Sequence, residues 1–207
     1  MRARPALALA LLPALLAAGA ATAAPAKAKP VCDLIKDAAG DGAVVTASAD
    51  LDILSGDLAS DGKKITAVLR LAGDPSAANP QALGGKNYYV SFTAGGQPQF
   101  LAAEFAPVLG ATYSTGFEED VNGVGNKTSD TEPATGKVDG NVITITAPLS
   151  AFGGRASLKP GKKLSGLTAE VFALVGTGAT GGLLALADDA TGSGYTAGAA
   201  SCVKPGA

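Results

Sequence analysis

The feature that most limits what this chain can become is a strict alternation of apolar and polar residues, punctuated by glycine-containing turns. The stretch "LDILSGDLASDGKKITAVLRLAG" shows it best. Ile65, Ala67, Leu69 and Leu71 fall on one side of an extended chain, and Thr66, Val68 and Arg70 on the other. Asp61-Gly62 separates the two runs, where a tight hairpin turn needs positive φ at low steric cost. "NYYVSFTAGGQPQFLAAEF" repeats the design around Gly95-Gly96, with Tyr88, Val90 and Phe92 alternating with Tyr89, Ser91 and Thr93. "KVDGNVITITAPL" predicts a third hairpin turning at Asp139-Gly140-Asn141, while "GLTAEVFALVG" and "GLLALADD" supply further strands. Pro148 to Phe152 reads as a short helical turn stopped by Gly153-Gly154. No long helical period competes. The pattern predicts an all-β fold, an antiparallel, jelly-roll-like β-sandwich of about eight to ten strands. Two connections read as long loops: Ala72 to Lys86, and the polar, acidic segment Glu118 to Gly136.

The start of the chain has another character. Arg2 and Arg4, an apolar stretch from Ala6 to Ala18 and the small-x-small pattern Ala21-Thr22-Ala23 read as a secretory signal, with Ala24-Pro25-Ala26 a second cleavage point. Residues 1–23 are therefore expected to be a signal peptide, 24–30 a short tail and 31–203 the sandwich domain. No later apolar run is long enough to span a bilayer, so the expected product is secreted and extracellular, with no membrane insertion after signal removal. Loss of Arg2 and Arg4 takes the formal charge from −2 to −4, and no basic cluster offsets it, so nucleic acid is not an expected partner. Cys32 and Cys202, the only cysteines, flank the domain and read as one terminal-to-terminal disulfide. Closing so long a loop stabilises by at most roughly 5 kcal/mol in the chain-entropy picture. It also requires the first and last segments to lie side by side.

Absences exclude much chemistry. The chain has no His, so a Ser-His-Asp triad, a Cys-His dyad and an ordinary zinc site are ruled out. Paired carboxylates are the remaining catalytic route, and Glu104 and Glu170, each alternating with apolar residues, are the candidates at inward-looking strand positions. They define the alternative reading, a carboxylate-dependent glycan-active enzyme. Such residues more often sit on a solvent face.

Oxygen-rich turns are the better lead. "DLIKDAAGDG" carries Asp37 and Asp41 with the carbonyls of Ala38 to Gly40, and a disulfide would bring Asp188 and Asp189 near. Calcium takes about six to eight hard oxygen ligands on a glycine-containing loop, so these four aspartates form the candidate site, set against a plain solvated turn. In "EEDVNGVGNKTSD", Glu118, Asp120 and Asn122 followed by Gly123 mimic the first half of an EF-hand loop. The closing bidentate glutamate is replaced there by Ser129, so the segment reads as an acidic surface loop. Asn126-Lys127-Thr128 fits a glycosylation acceptor pattern. Tyr88, Tyr89, Tyr113 and Tyr195 are the candidate ligand-stacking residues, with Tyr88 and Tyr89 on opposite faces of one strand.

The opening "DAAGDG", the "LDILSGDLASDGKKITAVLRLAG" pair and the late "ITITAPLSAF" with "LADDATGSGYTAG" resemble secreted bacterial β-sandwich domains of the DOMON and family 9 carbohydrate-binding-module-like group. The resemblance covers Asp33 to Ser201. It implies a non-catalytic extracellular module, with calcium as cofactor and a glycan or protein as ligand. The chain departs from the sugar-binding pattern in having no Trp to stack on a pyranose ring. The combined expectation is a secreted, calcium-stabilised binding or structural module without catalytic activity.

Overall fold

A computed structural model of the chain describes residues 32–42, 48–121, 124–152, 158–176 and 183–203, with the backbone alone for 119–121 and 124–133. The signal peptide and tail expected before residue 31, and Gly153-Gly154, lie outside the described residues. Where the sequence alternates, the chain pairs. β1 (Ile35–Lys36), β2 (Ile53–Ser60), β3 (Lys64–Leu71), β8 (Thr135–Asp139) and β9 (Val142–Pro148) form the smaller sheet, in the spatial order β1-β2-β3-β9-β8. β4 (Gly85–Ala94), β5 (Gln97–Ala106), β6 (Gly110–Val121), β7 (Val124–Pro133), β10 (Lys163–Val175) and β11 (Leu183–Thr191) form the larger one, in the order β11-β10-β4-β5-β6-β7, with β12 (Tyr195–Thr196) paired to β10. Every pairing is antiparallel. Ten strands have five residues or more, in line with the expected count.

The predicted β2–β3 hairpin forms with Ser60 opposite Ile65, and Asp61 Oδ1 accepts the N–H groups of Lys63 and Lys64, both at 2.8 Å. Gly62 supplies the positive φ of 83° that this turn needs. Ile65, Ala67, Leu69 and Leu71 are buried against Tyr88, Val90 and Phe92 of β4, Leu101 and Ala103 of β5, and Ala169 and Val171 of β10. The two sheets thus bury one alternating set from each strand, as a sandwich requires. Short 3-10 turns at Ala49–Leu51 and Leu149–Phe152 are the only helical elements among the described residues, and none is long and apolar enough to cross a membrane.

The termini meet as the cysteines require. Cys32 and Cys202 form a disulfide with Cα atoms 5.3 Å apart; Ile35 bridges Gly192, and the Ser193 N–H donates to the Leu34 carbonyl at 2.8 Å. One expectation is overturned. Glu118 to Gly136 is not a loop: Glu118 pairs with Lys127 and Val121 with Val124, so the segment is the β6–β7 hairpin running on into β8. Its side chains are polar at successive positions, which hides the period that exposes a half-buried strand. The EF-hand-like spacing of Glu118 and Asp120 therefore lies on a paired strand, not on a loop able to wrap an ion; Asn122 and Gly123 lie outside the described residues. The loop at Ala72 is real, though Gly85 and Lys86 already belong to β4.

Candidate metal centre

Two β-bulges build one end of the sandwich. Along β2, Ile53 stands opposite Leu71 and Ser55 opposite Arg70, which leaves Leu54 as an extra residue. Its carbonyl accepts the Asp37 N–H at 3.2 Å, so the chain leaving β1 is drawn onto the bulge. Along β11, Leu186 faces Phe172 and Asp188 faces Val171, which makes Ala187 the extra residue. Bulges bend a strand and re-aim its side chains. Here they turn Asp188 toward the start of β2, and its Oδ2 accepts the Ile53 N–H at 2.7 Å across the two sheets.

Three carboxylates converge at this point, with a fourth, Asp52, beside them. Asp37, Asp41 and Asp188 each place a carboxylate oxygen within 4.8 Å of the others. Asp52, which closes the 3-10 turn before β2, accepts the Gly40 N–H on Oδ2 at 2.8 Å and so pins the loop between Asp37 and Asp41. A Cβ on Gly42 would stand 3.1 Å from the Ala187 carbonyl oxygen and 3.6 Å from Asp188 Cγ, so the loop closes directly over the bulge. Asp52 Oδ1 and Asp37 Oδ2 are buried and have no hydrogen-bond partner. Among the described residues, no Lys or Arg pairs with any of these acids.

The electrostatics follow from that crowding. Burial pushes the Asp188 carboxyl up to about 6, against its bond from the Ile53 N–H, and the charges of Asp37 and Asp41 push the same way. Burial also raises Asp37, opposed by the Ala38 N–H and reinforced by Asp41, Asp52 and Asp189. Carboxylates gathered without a cation resist ionisation, and a hard divalent cation relieves that cost by taking the same oxygens as ligands.

The structure sorts the sequence candidates. Asp37, Asp41 and Asp188 come together. Asp189 does not: it is exposed on the opposite face of β11, across from Glu170, because neighbouring residues on a strand point opposite ways. Asp52, which the sequence analysis did not single out, stands beside the group instead, its charge raising Asp37 and its Oδ2 holding the Gly40 N–H. Tyr88 lies in the core, and its hydroxyl donates to the Asp50 carbonyl at 2.8 Å. Tyr195 is also buried, its hydroxyl accepting the Ser60 N–H at 3.1 Å and donating to the Ala199 carbonyl at 3.0 Å. Neither presents a face to a ligand. Tyr89 is on the outer face of the larger sheet, yet it is covered by edge-on contacts with Phe100 and Phe172 at centroid distances of 5.4 and 5.8 Å. Tyr113 alone is half-buried beside a cleft.

Glu104 and Glu170 are not inward-looking. Glu104 pairs with Asn87 and Glu170 with Tyr89, which places both on the outer face with β4 between their strands. No known protein family, curated protein or solved structure matches this chain.

Proposed function

We propose that the chain is an exported, non-catalytic binding module whose bulged end is clamped by a calcium ion held by Asp37, Asp41, Asp52 and Asp188. The observation that carries this reading is the group of Asp37, Asp41 and Asp188 with two buried, unpartnered carboxylate oxygens at it, Asp37 Oδ2 and the neighbouring Asp52 Oδ1, and with no Lys or Arg paired to these acids among the described residues. An unpaired buried charge is expensive, and an ion coordinated by several oxygens removes that expense. The donor set is all oxygen, which suits calcium over zinc or copper. The Cys32–Cys202 disulfide supports an oxidising compartment outside the cytosol. The same reading fits the extracellular module that the turn aspartates resemble.

The test is a calorimetric titration of the oxidised protein with calcium chloride. One site per chain is expected, lost in Asp52→Asn and Asp188→Asn but intact in Asp33→Asn, whose carboxylate faces Arg70 instead. No heat in the wild type, or unchanged binding in Asp52→Asn, would sink the proposal.

A further inference from the structure

The sandwich carries a cleft of about 600 Å³ between the loop at 72–84, the β5–β6 turn and β8. We propose that this cleft binds an uncharged lipophilic small molecule that carries a single hydrogen-bonding group. The volume is that of a small-molecule site, for which about 300–1,000 Å³ is usual. Pro75, Ala78 and Leu83 line one wall, and Phe105, Ala111 and Val138 the other.

The chemistry of the polar lining decides what kind of molecule fits. Lys86 is the only charged side chain there, and its ammonium is already spent: it lies 2.9 Å from Asp50 Oδ2 and donates to the Ala77 carbonyl at 2.7 Å. Asn79 donates to both Asp50 oxygens and accepts the Gln81 N–H, while the Ser76 hydroxyl donates to Asp74. Asp50 also takes the Ser48 hydroxyl, so a closed network holds the loop at 72–84 and leaves no net charge for an anion. The Tyr113 hydroxyl is different, having no hydrogen bond among the described residues. Its ring lies against Gly136, where a Cβ would collide with Tyr113 Cδ1 and Cε1, so glycine at that position lets the ring lie where it does. On the β5–β6 turn, whose flanking Pro107 and Gly110 line the cleft, Val108 and Leu109 are 93% and 80% exposed, and Leu83 in the cleft wall is 52% exposed. An apolar side chain in water in the wall of an apolar cleft, with two more on the adjoining turn, is what a lipophilic ligand would cover.

The probe is phenylnaphthylamine, an uncharged fluorophore that brightens in apolar surroundings, titrated into the oxidised protein and then displaced by decanol or decanoate. Ala111→Trp and Ala78→Trp fill the cleft from opposite walls at exposed alanines, and native melting curves establish that each variant folds. The expected result is saturable binding weakened at least about tenfold in both variants, a loss of roughly 1.4 kcal/mol. Decanol should displace the probe at lower concentration than decanoate, and Asp50→Asn, which frees the Lys86 ammonium, should narrow that gap. The proposal is overturned if the wild type does not bind the probe, if both tryptophan variants bind as the wild type does, or if decanoate competes as well as decanol. It is equally overturned if Leu184→Ser/Leu186→Ser, on the outer face of the larger sheet, abolishes binding while the tryptophan variants retain it.

Discussion

Lowering the pH from 7.5 to 5 should raise the stability of this protein in EDTA and leave it nearly level in calcium. In EDTA the folded-state carboxyl of Asp188 sits at about 6, above its ordinary value of 3.8. A carboxyl raised in the folded state binds its proton more tightly there than in the unfolded chain, so stability rises as pH falls from above 6 toward 4. Down to pH 5 this amounts to at most about 1.4 kcal/mol, or roughly 3–6 °C of melting temperature for a domain of this size. Asp37, also raised, adds in the same direction. Asp50, Asp61 and Asp74 are held below the ordinary value by their hydrogen bonds, so their contributions are lost only below about 3.8, outside this window. No histidine titrates within it. In millimolar calcium that rise is cancelled, because the bound ion excludes the proton. A site of micromolar affinity stabilises by about 4 kcal/mol at pH 7.5. At pH 5 the ion must displace the Asp188 proton, which weakens it about tenfold and removes roughly 1.4 kcal/mol. Melting curves by circular dichroism at pH 7.5, 6 and 5, in EDTA and in calcium, should therefore converge on acidification, and Asp188→Asn should remove most of the EDTA slope and abolish the calcium increment. An EDTA melting temperature that stays level or falls between pH 7.5 and 5 would refute the reasoning.

Two further outcomes follow from the packing at the same end. Asp57 is fully buried, with Arg70 Nη1 at 2.9 Å and the Leu34 N–H at 3.3 Å as its partners; Arg70→Met strands that carboxylate and should cost about 3 kcal/mol in urea unfolding, with a cost below about 1 kcal/mol counting against the assignment. Replacing Cys32 and Cys202 by Ser opens a closure of 170 residues and should lower the melting temperature by up to about 10–20 °C, whereas a shift under about 2 °C would mean that the Ile35–Gly192 bridge holds the termini unaided.

What the sequence made legible is what obeys a local rule. The hairpins at Asp61-Gly62, Gly95-Gly96 and Gly140-Asn141 form where period-two alternation meets a turn dipeptide, because side-chain direction and turn geometry are both decided within a few residues. β6–β7 was missed for a physical reason. Its residues are polar at successive positions, so the burial signal vanishes even though Asn122-Gly123 carries a hairpin dipeptide. The acid cluster was half legible. Asp37 and Asp41 share a loop, and the disulfide brings β11 near, but two one-residue slips decide which acids meet. Ala187 as an extra residue turns Asp188 inward and leaves Asp189 outside.

The 3-10 turn at Ala49–Leu51 shows how closely the two proposed sites are built together. Asp50 lies within this turn and anchors Lys86 and Asn79 beneath the cleft, while Asp52, at its end, holds the Gly40 N–H within the acid cluster. Acids two apart around a single tight turn diverge, so one short segment supplies a structural carboxylate to each site. In the cleft, Asp50 meets an ammonium and its charge is cancelled, which leaves a neutral apolar cavity. In the cluster, Asp52 meets other carboxylates and its charge adds to theirs. The same residue type therefore makes one site neutral and the other a cation cradle, and the difference lies in whether a lysine or an aspartate stands opposite.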